Sequence, residues 1–230
     1  MATETELKLL LETLDDYAVV LRALQGMACA EVRESRQVNY YLDTVDRSLL
    51  RQHAMVRVRV ADGAALLTVK VKPRLQGGVI EVAEHERSLD PDHAAAWLAT
   101  PPSRTGLAFD VAGWLGAGGV LAQPLPAEAQ LQVLGAMHNT RRKVPVDGAR
   151  WGLAAGERVV AELDRAHYGA GGAEAERFEL EIEHVQAATM QPAVEAWLAG
   201  LDVAFRRAEE TKYAQFLRLA ERHAGWGALA

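Results

Sequence analysis

Hydrophobic and polar residues alternate with a period of two through most of the chain, which is the pattern of β-strands whose two faces differ. The clearest example lies on either side of Asp62-Gly63, at residues 55–60 and 66–72, and predicts a β-hairpin. Six more strands are predicted, at residues 4–11, 32–43, 79–88, 130–146, 158–168 and 175–184. The pattern therefore predicts about eight strands, or one more if Asp147-Gly148 divides a further hairpin.

Helical periodicity separates some of these strands and follows the last one. The predicted helices cover residues 15–24, 91–99, 191–198 and 209–223, with Asp90 as a candidate N-cap of the second. The Gly-, Pro- and Ala-rich segment 100–126 is predicted as a loop, a short helix near residues 111–115, or both. Because similar charged strands occur on both sides of this segment and no repeat is visible, we expect one domain over residues 1–230 and no second domain.

The polar members of the alternation are unusually often charged, and several charges share one face of the same strand, nearly all cations on two strands and mainly carboxylates on three. These sets are Glu4, Glu6 and Lys8; Arg57 and Arg59; Lys70 and Lys72; Glu162 and Asp164; and Glu179, Glu181 and Glu183. The polar face of a one-sided antiparallel sheet is normally solvated. Rows of like charge on such a face repel one another, however, so a plain surface sheet explains them poorly.

A ligand that needs both signs of charge removes this conflict. Arg and Lys at two-residue steps suit a polyphosphate, and carboxylates at two-residue steps suit Mg²⁺ or Mn²⁺, which in turn bridges phosphate oxygens. If about eight antiparallel strands close on themselves, alternate residues point into one lumen and distant charges converge. The sequence therefore predicts an α+β fold: a closed eight-stranded antiparallel β-barrel with a charged lumen, covered by several α-helices. The helix at 209–223, with Tyr213, Phe216 and Leu217 on one side, is expected to cover outward apolar faces.

Composition narrows the classes of function. Twenty-five Lys and Arg against 31 Asp and Glu give a formal charge of -6, which disfavours a surface that coats nucleic acid. The single cysteine, Cys29, cannot form an internal disulfide or a zinc site of the usual spacing. The N-terminus is acidic, unlike a signal peptide, and no stretch approaches the roughly 18 apolar residues of a membrane span. We therefore expect a cytoplasmic protein with neither a nucleic acid nor a membrane as partner, and a homodimer is possible.

Residues 4–8, Glu-Thr-Glu-Leu-Lys, resemble the N-terminal Glu-x-Glu-x-Lys strand of the CYTH domain family, also called triphosphate tunnel metalloenzymes. Later segments follow in an order similar to that of the family: Tyr40-Tyr41-Leu42-Asp43-Thr44, Arg57-Val58-Arg59, Leu67-Thr68-Val69-Lys70, Thr140-Arg141, Glu162-Leu163-Asp164, Glu179-Leu180-Glu181 and Lys212-Tyr213. The resemblance covers nearly the whole chain. The chain departs from the family at Val82, where an Arg often precedes a Glu pair, and no helical His-rich domain follows.

The resemblance implies a closed antiparallel barrel around a charged tunnel and metal-dependent hydrolysis of a triphosphate. Substrates known in the family are inorganic triphosphate, thiamine triphosphate, nucleoside triphosphates and RNA 5′ ends, and one branch cyclises ATP. Inorganic triphosphate is the leading prediction, with pyrophosphate and phosphate as products. The reason is that nothing obvious in the short chain provides a recognition module for a large organic group.

Both the resemblance and charge chemistry indicate which cations bind phosphate oxygens: Lys8, Arg57, Arg59, Lys70 and Arg141. Lys72 shares the predicted face of Lys70 near the end of its strand, and Arg142 competes with Arg141 for the inward position. For both Lys72 and Arg142, substrate binding and a solvated position are alternatives. Lys212 resembles the last tunnel cation of the family, which stands beside a Tyr; the alternative is a solvated helical Lys.

Carboxylates on four strands are candidate ligands of Mg²⁺ or Mn²⁺: Glu4, Glu6, Glu84, Glu86, Glu162, Asp164, Glu179 and Glu181. Without substrate, the same carboxylates would form salt bridges with the inward cations, because a buried charge needs a partner. Glu183 has the same parity and is expected near the barrel rim. The predicted catalytic residues are Glu4, Glu6, Lys8 and Arg59.

Other functions stay open at this point. Thiamine triphosphatase, another organic triphosphatase or adenylate cyclase would require aromatic or amide groups at the tunnel mouth. A non-catalytic polyphosphate-binding module is a further alternative, although anion binding alone gains nothing from the carboxylates Glu4 and Glu6. The last alternative is a structural or interaction domain whose charged faces are merely solvated.

Overall fold

A computed structural model describes residues 2–99, 121, 123, 125, 129, 131–170 and 173–223. The segment 100–126, predicted as a loop or a short helix, lies outside these residues except at positions 121, 123 and 125. The nine strands within the described part of the chain are β1 (Ala2–Leu11), β2 (Arg33–Thr44), β3 (Ala54–Ala61), β4 (Ala64–Gln76), β5 (Val79–Leu89), β6 (Leu131–Asp147), β7 (Arg158–Ala170), β8 (Ala173–Glu183) and β9 (Phe205–Arg207).

Eight of these strands form a closed antiparallel barrel, as predicted. Neighbouring strands follow the order β5-β4-β3-β2-β6-β7-β8-β1, and β1 also pairs with β5, which closes the ring. The first half of β1, from Ala2 to Leu7, pairs with β5, while Glu6 to Leu11 pair with β8 on the opposite edge. The short β9 continues along the edge that β5 leaves, with Leu9 opposite Arg207. Because β1 contacts strands on both edges, its alternate residues face a fully enclosed lumen.

The five α-helices of the described residues are α1 (Leu14–Met27), α2 (Ser48–Arg51), α3 (Pro91–Leu98), α4 (Ala187–Gly200) and α5 (Lys212–His223). A capping box starts α1, because Thr13 accepts from the backbone N–H of Asp16 and the Asp16 carboxylate accepts from that of Thr13. The structure extends the first and third predicted helices at both ends and starts the last one at Lys212 instead of residue 209. No helix within the described part is long and apolar enough to cross a membrane.

Two apolar clusters cover the outside of the barrel. Helices α1 and α4 pack against β1, β6, β7 and β8, where Leu7, Leu9, Leu180 and Ile182 are fully buried. Helix α3 packs on the outer faces of β3 and β4, which present Val56, Val58 and Val69. Burial of these faces under helices leaves the opposite, polar faces to line the lumen, as the sequence predicts.

The position of α5 differs from the prediction. Its residues Phe216, Leu217 and Ala220 pack on Tyr41, Met137, Ala166 and Tyr168, which share the inward parity of the charged positions on β2, β6 and β7. A Cβ built on Gly135 would lie 2.8 Å from the Phe216 ring, so a glycine is what allows this close approach. Helix α5 therefore packs into one end of the barrel instead of covering its outside.

The backbone differs from the prediction at two further places, one in the connection after β6 and one within β4. Asp147-Gly148 is not a two-residue hairpin turn, because Gly148–Trp151 forms a 3₁₀-helix within the longer connection between β6 and β7. In β4 the register shifts between Val71 and Arg74, and Lys72 adopts a left-handed backbone conformation with a φ of 50°. The shift turns Lys72 away from the face of Lys70.

Candidate functional site

The lumen contains a cavity of about 490 Å³, and half of its lining residues carry charged side chains. Its charged lining residues are Glu4, Glu6, Lys8, Arg57, Arg59, Lys70, Glu84, Glu86, Arg141, Lys143, Glu162, Glu181, Glu183 and Lys212. They come from β1, β3 to β8 and the start of α5. Strand alternation and barrel closure thus bring together side chains that are far apart in the sequence.

The deepest charges form a buried ion network around Lys212. Its Nζ lies 2.6 Å from Asp164 Oδ2, 2.9 Å from Glu179 Oε2 and 2.6 Å from Glu181 Oε1. Lys8 joins the network through Glu181, at 2.7 Å, and through Glu6, at 3.1 Å. Four carboxylates and two ammonium groups are therefore held in close contact at the base of the cavity.

Arg141 completes this network from β6. Its guanidinium contacts Asp164 through two hydrogen bonds of 2.8 and 2.6 Å, lies 2.5 Å from Glu181 and also contacts Glu162. Burial alone would raise the pKa of Asp164, but Arg141 and Lys212 outweigh it and hold that pKa below its usual value. Asp164 and Glu179 are fully buried and do not line the cavity. They hold cations in place from behind the lining.

A second set of carboxylates, at the other side of the cavity, has fewer cations to balance it. Lys70 Nζ contacts Glu4 and lies 3.6 Å from Glu84. Burial and a hydrogen bond with Glu4 raise the pKa of Glu84. Burial would also raise the pKa of Glu4, but the hydrogen bond with Glu84 and the charge of Lys70 lower it. The pKa values of these two carboxyl groups are thus shifted in opposite directions, as expected where carboxylates outnumber cations.

Glu6 and Glu183 extend this acidic region along β1 and β8, where they are direct cross-strand partners. Burial is the largest influence on both, and it raises the pKa of Glu6 and that of Glu183. Oxygen donors of this kind fit a hard divalent cation. Among the described residues, however, no three His, Cys, Asp or Glu side chains are already arranged around one point as a metal site. The donor chemistry fits a metal, whereas a finished coordination shell is not preformed.

The third part of the site is a pair of cations without acidic partners. Within the described residues, no carboxylate oxygen lies within 4.0 Å of the guanidinium of Arg57 or Arg59, although both line the cavity. Arg57 is 8% exposed, and its Nε has no hydrogen-bond acceptor there. Burial and the charges of Arg57 and Arg141 lower the pKa of Arg59 to about 10. A buried and a half-buried positive charge, neither in contact with a carboxylate, point to an anionic ligand.

The predicted cations separate into three groups. Lys8, Lys70, Arg141 and Lys212 line the cavity and are paired with carboxylates, whereas Arg57 and Arg59 line it without such partners. Arg141, not Arg142, faces inward: Arg142 lies outside the barrel, where it contacts Tyr17 and pairs with Glu34 at 2.6 Å. The prediction that Lys72 shares the face of Lys70 is wrong, because the shift in β4 leaves it exposed and away from the cavity lining.

The predicted carboxylates also separate by position. Glu4, Glu6, Glu84, Glu86, Glu162 and Glu181 line the cavity. Glu86 accepts a hydrogen bond of 3.1 Å from Thr68, and Glu162 contacts Lys143 at 2.7 Å. Asp164 and Glu179 lie behind the lining, as described above.

Sequence reasoning missed the uncharged polar groups of the site. Asn39 accepts a hydrogen bond from Arg59, and Asn139 lines the cavity next to β2. Gln215 of α5 donates to Glu179 at 3.0 Å. The available signal was parity: Asn39 stands two residues before Tyr41 in a predicted strand, and Asn139 two residues before Arg141. A search restricted to charged alternation passes over such amides.

Comparison with protein families and solved structures places this geometry among known proteins. The family model for the CYTH domain matches residues 2–204, which leaves α5 outside the match. A search of curated proteins gave no significant match.

Several solved structures share the fold. HpAC1 from Hippeastrum, which was proposed to be an adenylyl cyclase and has a dominant triphosphatase activity, aligns with a TM-score of 0.75 and 24% identity over 94% of this chain and 95% of that one. A proposed adenylate cyclase from Bacillus halodurans aligns with a TM-score of 0.59 and 18% identity, over 94% and 99% of the two chains. PH1819 from Pyrococcus horikoshii follows with 0.51 and 16%, over 93% and 98%. At these identities the similarity establishes the fold, and together with the match of the family model over most of the chain it shows that this protein belongs to the CYTH family.

Proposed function

We propose that the protein hydrolyses a triphosphate in the barrel lumen, with inorganic triphosphate as the leading substrate and Mg²⁺ or Mn²⁺ as cofactor. One observation carries the proposal: a buried and a half-buried arginine, both without acidic partners, share a cavity with carboxylates that lack enough cations. A triphosphate with a divalent cation supplies both missing charges, because the anion neutralises the arginines and the cation neutralises the carboxylates.

Arg57 and Arg59 would bind the phosphate oxygens first, since no ion pair has to be broken to free them. Guanidinium groups suit this role because their planar fork matches two phosphate oxygens at once. Lys8 and Arg141, already fixed by carboxylates, would add positive charge at the base of the cavity without having to reorganise. Positive groups held in place in this way stabilise the charge that develops during phosphoryl transfer.

Glu4, Glu6 and Glu84 would hold the metal ion, with Glu86 and Glu162 as further carboxylates of the lining. A different role falls to Asp164, Glu179 and Glu181, which would hold cations of the site in place. Each of the three already binds Lys212, and Asp164 and Glu181 also bind Arg141. When bound, a divalent cation would orient the phosphates and neutralise their charge. A lining carboxylate would orient a water molecule for in-line attack on a terminal phosphorus and accept its proton, so no covalent intermediate is needed.

The activity named for HpAC1 supports hydrolysis over cyclisation, since that protein has a dominant triphosphatase activity despite its proposed cyclase function. A second candidate substrate is an organic triphosphate such as thiamine triphosphate. The observation that favours it is an apolar stretch of the cavity wall, formed by Leu50, Met55, Tyr213 and Leu217. These side chains could pack against an organic group that inorganic triphosphate does not have.

Phosphate release from inorganic triphosphate, thiamine triphosphate and ATP tests the proposal, each measured with Mg²⁺, with Mn²⁺ and with a chelator. We expect metal-dependent release that is fastest with inorganic triphosphate and abolished by the chelator. Glu6→Gln should abolish turnover while leaving the protein folded, and the exposed Glu12→Gln is the matched control. Release from thiamine triphosphate alone would select the organic substrate, and conversion of ATP to a cyclic product would select the cyclase. If the folded protein released phosphate from none of the three substrates, the proposed function would be overturned.

A further inference from the structure

Arg59 differs from the other inward cations in the kind of partner that it has. Its Nε donates a hydrogen bond of 3.0 Å to Oδ1 of Asn39, across the β2–β3 pair where the two residues stand directly opposite each other. Within the described part of the chain, its two Nη nitrogens have no hydrogen-bond partner. Lys8, Lys70, Arg141 and Lys212 are instead all paired with carboxylates.

A neutral partner and a charged partner have different consequences for a guanidinium group. An amide oxygen that accepts from Nε fixes the plane of the guanidinium but leaves its full positive charge uncompensated. A carboxylate at the same place would fix the plane and also neutralise the charge. An uncompensated charge binds an anion more strongly than one that already has a counter-charge, because no existing ion pair competes.

The side chain of Asn39 is enclosed by the protein, and its hydrogen bond with Arg59 is the one that it makes among the described residues. The residue is completely buried, and its Nδ2 has no hydrogen-bond acceptor among the described residues. The Oδ1 atom of Asn139, an amide that lines the cavity, is likewise buried without a donor among the described residues. Buried polar atoms without partners are costly, so their retention beside the cavity calls for an explanation other than stability.

We propose that Asn39 is a positioning residue that orients Arg59 toward the cavity while keeping its charge free for the substrate phosphates. The proposal rests on the function proposed above and adds to it how one of the two anion-binding arginines is oriented without losing its charge. Asn39 acts through Arg59 and is not itself expected to contact the reacting atoms.

Binding of inorganic triphosphate, measured by calorimetry with a chelator at one fixed salt concentration, tests the proposal. Asn39→Asp keeps an acceptor for Nε but adds a negative charge, and we expect it to weaken binding about 10- to 100-fold, as does loss of hydrogen bonds to a charged group. Asn39→Ala removes the orientation but not the charge, and we expect binding about fivefold weaker. Which variant loses more affinity distinguishes this role from packing. If Asn39 only filled space, Asn39→Ala would lose more affinity than Asn39→Asp, because Asp is closer in shape to Asn than Ala is.

Two controls separate the action through Arg59 from a general effect of charge. Gln37→Glu adds a carboxylate to the same strand two residues away, where no bond to Arg59 exists, and should change the affinity by less than about threefold. In an Arg59→Ala background, Asn39→Asp should weaken binding by no more than about threefold further, because its target is absent. Chemical denaturation of each variant shows whether it folds. If Asn39→Asp does not fold, the affinity of Asn39→Ala alone decides whether Asn39 has the positioning role.

The outcomes are distinct from those that bear on the proposed function. If the wild-type protein binds no triphosphate, the proposed function itself fails. If the wild type binds and folded Asn39→Asp binds equally well, Asn39 has no positioning role. A full effect of Asn39→Asp in the Arg59→Ala background would also overturn the proposal, since the added charge would then act on the ligand directly.

Discussion

Lys212 Nζ, at the first residue of α5, lies 2.6 Å from Asp164 Oδ2 on β7, and both groups are buried. The contact ties the helix that packs into the barrel to the deepest carboxylate of the lumen. Lys212 lies outside the segment matched by the family model, which ends at residue 204, whereas Asp164 lies within it. The C-terminal helix is therefore part of the charged site as well as of the apolar packing.

Lys212→Met should destabilise the protein by about 3 to 5 kcal/mol, because it leaves Asp164, Glu179 and Glu181 with one buried cation fewer. Urea denaturation monitored by circular dichroism measures this change. Arg218→Ala is the matched control on the same helix, since its ion pair with Glu210 is largely exposed on the Arg side and should cost less than about 1 kcal/mol. Equal losses in the two variants would contradict the buried network.

Gly135→Ala should destabilise the protein by about 1 to 3 kcal/mol, since its Cβ would lie 2.8 Å from the Phe216 ring and force α5 to shift. Thermal or urea denaturation provides the measurement. Gly169→Ala, across the same pair of strands, meets no atom within 4 Å and should change stability by less than about 0.5 kcal/mol. If Gly135→Ala were as mild as Gly169→Ala, α5 would not occupy the end of the barrel.

Lys70→Ala should weaken triphosphate binding about tenfold or more, because Lys70 lines the cavity between Glu4 and Glu84 and contributes positive charge to it. Lys72→Ala should leave binding unchanged, since the register shift in β4 points that side chain to solvent. Calorimetric titration at constant ionic strength compares the two. A loss of affinity in Lys72→Ala would show that this part of the strand moves when ligand binds.

Much of the fold could be predicted because lumen-facing and outward-facing residues alternate strictly. The pattern at Glu4, Glu6 and Lys8 and at Arg57 and Arg59 indicates both the strands and their inward faces, and closure of the barrel explains why their charges meet. Alternation fails where the backbone departs from regular geometry. At Lys72, a left-handed residue in a register shift changes the parity. The neighbouring Pro73 is a signal for such an irregularity but does not indicate which way the side chain of Lys72 turns.

The placement of α5 could not be predicted for a different reason. An amphipathic helix with Tyr213, Phe216 and Leu217 on one side packs equally well on an outer face or in the end of a barrel, because the hydrophobic effect has no direction. Gly135, which makes room for Phe216, favours the end of the barrel, but its role is visible only once the helix is in place. Lys212 was the signal that the start of this helix enters the lumen. Likewise, a search for charged alternation passes over Asn39, which is uncharged, although its amide oxygen accepts a hydrogen bond from Arg59.

The most direct test of the account is the affinity for inorganic triphosphate of the double variant Arg57→Ala/Arg59→Ala, measured by calorimetry with a chelator. We expect the wild-type protein to bind one triphosphate per chain and the double variant to bind at least about 100-fold more weakly. The control is Arg33→Ala/Arg206→Ala, which removes the same charge from exposed positions and should bind as the wild type does. Equal affinity of the folded Arg57→Ala/Arg59→Ala variant and the wild type would contradict the assignment of the lumen as the triphosphate site.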